Sequence, residues 1–240
     1  MGLHMPNLLY FGIPILIFYS WLAHRLVAKY LPYKLYHPMI FFGVIIHEIG
    51  HIVGCILTGA KIKKISLFKQ EGDKIGEVIH SSPKVPVIGQ CIISLAPIFS
   101  AMFFFYILTA LVHSSLNLDI CKSDDSFFVF FNFLKGVDLF DIRWLFLLYA
   151  TLSMSLTLAP SSTDLKHASV GVVSILLVIL ALEFIGTPFL SIIFDTIVKP
   201  LTILGLLMIT VSCIIITIIL LSYKLFEIVK NKYTYKKEVS

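Results

Sequence analysis

Six apolar runs divide the chain, at about 7–29, 37–59, 86–113, 143–159, 168–187 and 199–223, the fourth of them short. A helix needs about 20 mostly apolar residues to cross the hydrocarbon core of a bilayer. Prolines punctuate the connections, with Pro32 and Pro38 at the first, Pro83 and Pro86 at the second, Pro160 at the fourth, and Pro188 and Pro200 at the fifth. Proline lacks the N–H that would continue a helix, so these positions mark stops. The pattern predicts an all-α polytopic membrane protein with about six transmembrane helices. Between the second and third runs, "KIKKISLFKQEGDKIGEVIH" is polar, partly alternating, rich in Ile and Val, and interrupted at Gly72-Asp73. It predicts one short β-hairpin of strands 61–69 and 75–81. The stretch "DDSFFVFFNFLKGVDLFD" is too short to span and carries phenylalanine on every helical face, which predicts a partly inserted interfacial segment.

Composition agrees with this class. Of 240 residues, 58% are hydrophobic and 14% charged, with a mean hydropathy of +0.94. Soluble domains average about 45–50% and about 25%. The net charge of +5 sits in short polar segments beside apolar runs. It reads as a topology signal, and nucleic acid is excluded as a partner because no basic patch is interleaved with aromatics. Cys55, Cys91, Cys121 and Cys213 show no CxxC spacing, so neither a disulfide framework nor a cysteine metal site is expected. Met1 to Asn7 carries no Lys or Arg and the run that follows is longer than a signal-peptide core, so the first run is expected to be a retained helix. Lysines cluster in the hairpin segment and in the C-terminal tail, whereas the loop from 114 to 142 leans acidic. With six spans this places the hairpin and both termini in the cytosol, although Arg25, Lys29 and Lys34 would then face outward.

Within "FFGVIIHEIGHIVGCILTG" three ionisable residues, His47, Glu48 and His51, sit inside an otherwise apolar run. In a soluble helix HExxH arises by chance, and a lone histidine is usually a satisfied core residue. Near the centre of a bilayer each such group costs about 2.5–3.5 kcal/mol, so three in five residues call for a compensating partner. Residues four apart lie about 40° apart around a helix, which lets His47 and His51 share one metal ion, with Glu48 beside them as a base for water. Gly43, Gly50 and Gly54 fall on the same side, where absent side chains let another backbone approach.

Two histidines and a water leave one protein ligand to find in a tetrahedral zinc site. Leu57 stands where an extended HExxHxxGxxH pattern would need its third histidine. The candidates at membrane depth are Asp164, His167, Glu183 and Asp195. Asp164 follows Pro160 in "LAPSSTDLKHA", where the helix must break, and non-helical backbone at membrane depth is tolerated where it lines a cavity. With the topology above it reaches the same side as HEIGH. His167 reads otherwise as a helix-start surface residue, Glu183 as interfacial, and Asp164 itself has a competing role as a cap after Pro160.

The blocks "HEIGHIVGCILTGAKIKKISLF", "GEVIHSSPKVPVIGQCIISLAPIFSA" and "APSSTDL" resemble the site-two protease family of intramembrane zinc metalloproteases, over about residues 37–168. The resemblance implies a three-helix catalytic core that cleaves membrane-embedded protein substrates with one Zn²⁺ per chain. His47, His51 and Asp164 would be the metal ligands and Glu48 the general base. It divides the chain into an N-terminal helix (1–36), the metalloprotease core (37–168) and two C-terminal helices with a basic tail (169–240). Many members carry asparagine shortly before the proline and glycine after the aspartate; here Ala159 and Leu165 stand there. Because a scissile segment must be held extended, the strand after Gly59 is expected to bind substrate through Lys63, Lys64, Ile65, Ser66, Leu67 and Phe68. Two rivals stay open: a non-catalytic metal-binding regulator or chaperone of the same fold, and a metal transporter, whose ionisable residues should be spread over several helices.

Overall fold

The computed structural model describes residues 12–67, 76–112, 126–184 and 199–238. In chain order it contains α1 (Gly12–Tyr30), α2 (Tyr33–Thr58), β1 (Ile62–Ser66), β2 (Glu77–His80), α3 (Pro86–Val112), α4 (Ser126–Gly136), α5 (Ile142–Thr157), α6 (Ser162–Phe184) and α7 (Lys199–Glu238). Helix α2 packs against α3 and α5; α3 also packs on α6, and α5 on α7, while α1 lies against α7 and α5. The main apolar core joins Leu16, Ile98, Met102, Phe105, Leu147, Met154 and Leu207, and a second cluster joins Val27, Tyr36, Ile40, Val44, Leu156 and Ile216.

Six spans were expected; length and apolarity single out fewer. Among the described residues α2, α3 and α7 (to Lys232) are long and apolar enough to cross a membrane, and α5 with the start of α6 makes a fourth if the two count as one span bent by 73°. The runs read as fourth and fifth helices are α5 and α6, which meet at a sharp bend. The physical reason is Pro160 followed by Ser161, which starts α6 six residues before the apolar run does. Helix α1 is 19 residues long and carries Arg25 and Lys29 toward its end. Residues 7–11 of the first expected run lie outside the described residues.

Glycines set the approach of α2 to its neighbours. A Cβ on Gly50 would stand 2.5 Å from Pro97 Cα, one on Gly54 2.8 Å from Ile93 Cα, and one on Gly43 would collide with the Ser153 carbonyl. Helices α3 and α5, then, occupy the space these residues leave. Gly59 ends α2 in the left-handed region at φ 70°. Its N–H donates to Ile56 O (3.3 Å) and the Ala60 N–H to Cys55 O (2.9 Å), the paired bonds of a Schellman stop.

The chain then enters an antiparallel pair in which Ile65 faces Val78 and Ser66 faces Glu77, with an irregularity between Ile62 and Lys64. Two short antiparallel strands thus lie within the segment expected to form a hairpin, and the Gly72-Asp73 turn expected between them lies outside the described residues. Helix α4 covers most of the segment read as interfacial. Val129 and Phe133 are fully buried, Phe133 edge-on to Trp144 at 5.4 Å, while Phe128, Phe131 and Leu134 are exposed.

Candidate metal centre

The C-terminal half of α2 and the first turn of α6 meet. His47, His51 and Asp164 each offer one ligand atom, and these three atoms lie within 4.8 Å of one another. His51 Nε2 stands 3.7 Å from Asp164 Oδ2. Donors about 2.0–2.2 Å from a tetrahedral zinc are about 3.3–3.5 Å apart, so the three groups need only small movements to share an ion.

Backbone carbonyls orient both rings. His47 Nδ1 is 2.8 Å from Thr157 O and His51 Nδ1 is 3.0 Å from Ile93 O. A carbonyl can only accept, so each Nδ1 carries the proton and each Nε2 keeps its lone pair for a cation, the arrangement usual for metal-bound histidine. Ile93 O is free to accept because its helical partner would be the N–H of residue 97, which is Pro97.

Asp164 is held by a reciprocal cap. Its Oδ2 accepts from Ser161 Oγ (2.6 Å) and from the Ser161 N–H (3.1 Å), while its own N–H donates to Ser161 Oγ (3.2 Å). This is a capping box with aspartate at the third helical position. The carboxylate that closes this cap is the one that stands beside His51 Nε2, so the cap does not take Asp164 away from the cluster.

Glu48 is buried, 4% exposed, and packs against Gly76 just before β2, where a Cβ would lie 2.5 Å from Glu48 Oε1. All four residues line one cavity of about 960 Å³, walled by α1, α2, the β2 strand and the α5–α6 break. Two imidazole nitrogens, one carboxylate and an open side suit a catalytic zinc, which keeps a fourth position for water or substrate. The residues present therefore fit the metal that HExxH implies.

The other candidates separate from this cluster. His167 sits at the cavity edge, exposed, with Nδ1 3.2 Å from Gln90 Nε2. The side chain of Glu183 and the whole of Asp195 lie outside the described residues, as does Phe68. Lys63, Lys64, Ile65 and Leu67 are exposed, Ser66 is half-buried, and none of the five lines the cavity; the wall is β2, from Glu77 to His80. Which strand faces the site depends on how the hairpin folds back on α2, and alternation along the sequence carries no such information. Gly76, Pro97, Ser161 and Thr157 also escaped the sequence reading. The available signal lay in Pro97 and Pro160, each withholding an N–H from the carbonyl four residues earlier.

A sequence model of the family described as Peptidase M50B-like matches residues 15–187. No curated protein and no solved structure matches the chain.

Proposed function

The chain belongs to the Peptidase M50B-like family, and we propose that it is a zinc-dependent endopeptidase acting on protein substrates within the membrane. The observation that carries this reading is the His47–His51–Asp164 cluster, with Glu48 on the same cavity wall, in a protein built of helices apolar enough to span. His47, His51 and Asp164 would hold Zn²⁺, which when bound acidifies water and polarises the scissile carbonyl. Glu48 takes the proton of the attacking water and passes it to the leaving amine. Burial of Glu48 against Gly76 fixes that carboxylate beside the histidines. Water reaches the site through the cavity, past Pro160, Ser161 and Ser162. The Lys-rich hairpin and tail favour a cytosolic location for both.

The deciding experiment is Glu48→Gln in the purified full chain. The amide has nearly the same shape but accepts no proton, so zinc stays stoichiometric while cleavage falls by at least about a hundred-fold. Near-normal turnover in this variant rejects the mechanism. Stoichiometric zinc in a wild-type protein that cleaves nothing supports the regulator, and metal flux into vesicles the transporter.

Substrate binding belongs on β2 in this reading, not on β1 where the sequence put it, because Glu77–His80 forms the cavity wall. An extended substrate segment adding to that wall gains main-chain hydrogen bonds. Val78→Pro removes one donor there and Ile65→Pro one on the distal strand. Cleavage should fall in the first much more than in the second, with zinc unchanged in both; the reverse order restores β1.

A further inference from the structure

The α5–α6 break leaves backbone groups that an uninterrupted helix would have paired, and their partners come from α1. Ala159 N–H, which would donate to Ser155 O in a continuous helix, donates instead to Ser20 Oγ at 2.9 Å. Pro160 has no N–H to give Leu156 O, and His24 Nδ1 stands 3.2 Å from that oxygen. Ser161 N–H is taken by Asp164. Thr157 O, deprived in this way, is the acceptor that orients His47. Ser20 is fully buried and lies four residues before His24, so both project from one face of α1. The Tyr36 hydroxyl of α2 lies 3.1 Å from both ring nitrogens of His24, and with the Nδ1 proton committed to Leu156 only Nε2 can accept from it.

We infer that Ser20 and His24 of α1 are positioning residues for the metal centre. They hold the break in the conformation that delivers Asp164 and the Thr157 carbonyl to the histidines. Neither residue is among the three that gather at the metal position. Their effect passes through the short stretch 156–159: Ala159 is pinned by Ser20, Leu156 by His24, and Thr157 between them faces His47. Without this clamp a buried carbonyl and a buried N–H at the break would lack partners, and the break would relax toward water or toward a straighter helix, carrying Asp164 away. Helix α1 thus does more than add apolar contact to the core.

The inference rests on the zinc-site reading above, and its test separates the two. The full chain in lipid nanodiscs is loaded with Zn²⁺, and the rate of zinc loss to an excess of chelator is followed. Ser20→Ala and His24→Ala should each speed the loss by about ten-fold, the size expected when a group supporting a metal ligand is removed. His24→Asn, whose amide nitrogen can reach the place of Nδ1, should bring the rate back to within about two-fold of wild type, because a donor to the Leu156 carbonyl is restored. Val27→Ala, which thins the apolar packing of the same helix in the cluster that holds Leu156 and Tyr36 but removes no side-chain hydrogen bond, should change the rate far less. With Co²⁺ in place of zinc, the visible spectrum of His24→Ala should shift while that of Val27→Ala should not. Wild-type release rates in both alanine variants, or equal losses in Val27→Ala, overturn the clamp. A wild-type chain that binds zinc yet cleaves nothing rejects the peptidase and leaves the clamp standing; one that binds no zinc rejects both.

Discussion

Pro97 and Pro160 pose the same local problem and receive opposite solutions. Each withholds an N–H from the carbonyl four residues earlier, Ile93 O in α3 and Leu156 O in α5, and in each case a histidine Nδ1 fills the gap. At Pro97 the helix continues, running unbroken from Pro86 to Val112. At Pro160 it stops, and the chain turns by 73°. The difference lies in the neighbouring donors. Around Pro160, Ala159 N–H is captured by Ser20 and Ser161 N–H by Asp164, so three successive donors are lost to α5. Around Pro97 only one is lost, and the surrounding ladder carries the helix through. A proline by itself makes a gap; side chains that claim the adjacent N–H groups make a break. The metal centre uses both outcomes, since the gap orients His51 and the break brings in Asp164.

The largest effect should come from Pro160→Ala. A proline in a helix interior costs about 3 kcal/mol, so its removal favours a continuous α5–α6 helix by about a hundred-fold. Asp164 would then leave the cluster, and metal analysis should find well under one zinc per chain. Stoichiometric zinc in this variant would mean that Ser20 and Asp164 hold the break without the proline.

Pro97→Ala should act more gently, because α3 is already continuous there. The new N–H competes with His51 Nδ1 for Ile93 O, loosening the ring, and zinc affinity should fall by about ten-fold. The helix itself should become no less stable, as judged by resistance to denaturant. Unchanged affinity would show that Ile93 O serves two donors at once, leaving Pro97 only as the surface that meets Gly50.

How much of this was open to a reader of the sequence follows from the range of each interaction. HEIGH stands out because ionisable groups in an apolar run are costly, and that is a local property. Asp164 was legible because Pro160 lies four residues before it. The span count was not: whether the runs around Pro160 are two helices or one bent element depends on Ser20 and Ser161, and the short Ser161-Ser162-Thr163-Asp164 cap looked like loop. His24 was invisible for the same reason. A single histidine in an apolar helix carries no pattern, and its acceptor lies 132 residues away. The facing strand was missed because alternation separates the two faces of a strand and says nothing about which strand lies over α2.

The smallest effect tests how tightly the Pro160 gap must be filled. In the proposed site His51 needs no further support beyond its bond to Ile93 O to keep its tautomer, since a bound metal would take its other nitrogen. At His24 the hydroxyl of Tyr36, buried on α2, lies 3.1 Å from both ring nitrogens. Donating to Nε2 while Nδ1 faces Leu156 O, it favours the Nδ1–H tautomer that this carbonyl requires. Tyr36→Phe removes that preference but keeps the ring packing, so His24 still meets the carbonyl part of the time. One hydrogen bond of about 1 kcal/mol is lost, and only a fraction of it passes on through Leu156 and Thr157 to His47. Zinc release should therefore quicken by about two-fold, well short of His24→Ala at about ten-fold. Equal effects in the two variants would mean that the tautomer of His24, and not its presence, governs the break. The Pro160 site would then depend on a two-residue relay where the Pro97 site needs a single bond.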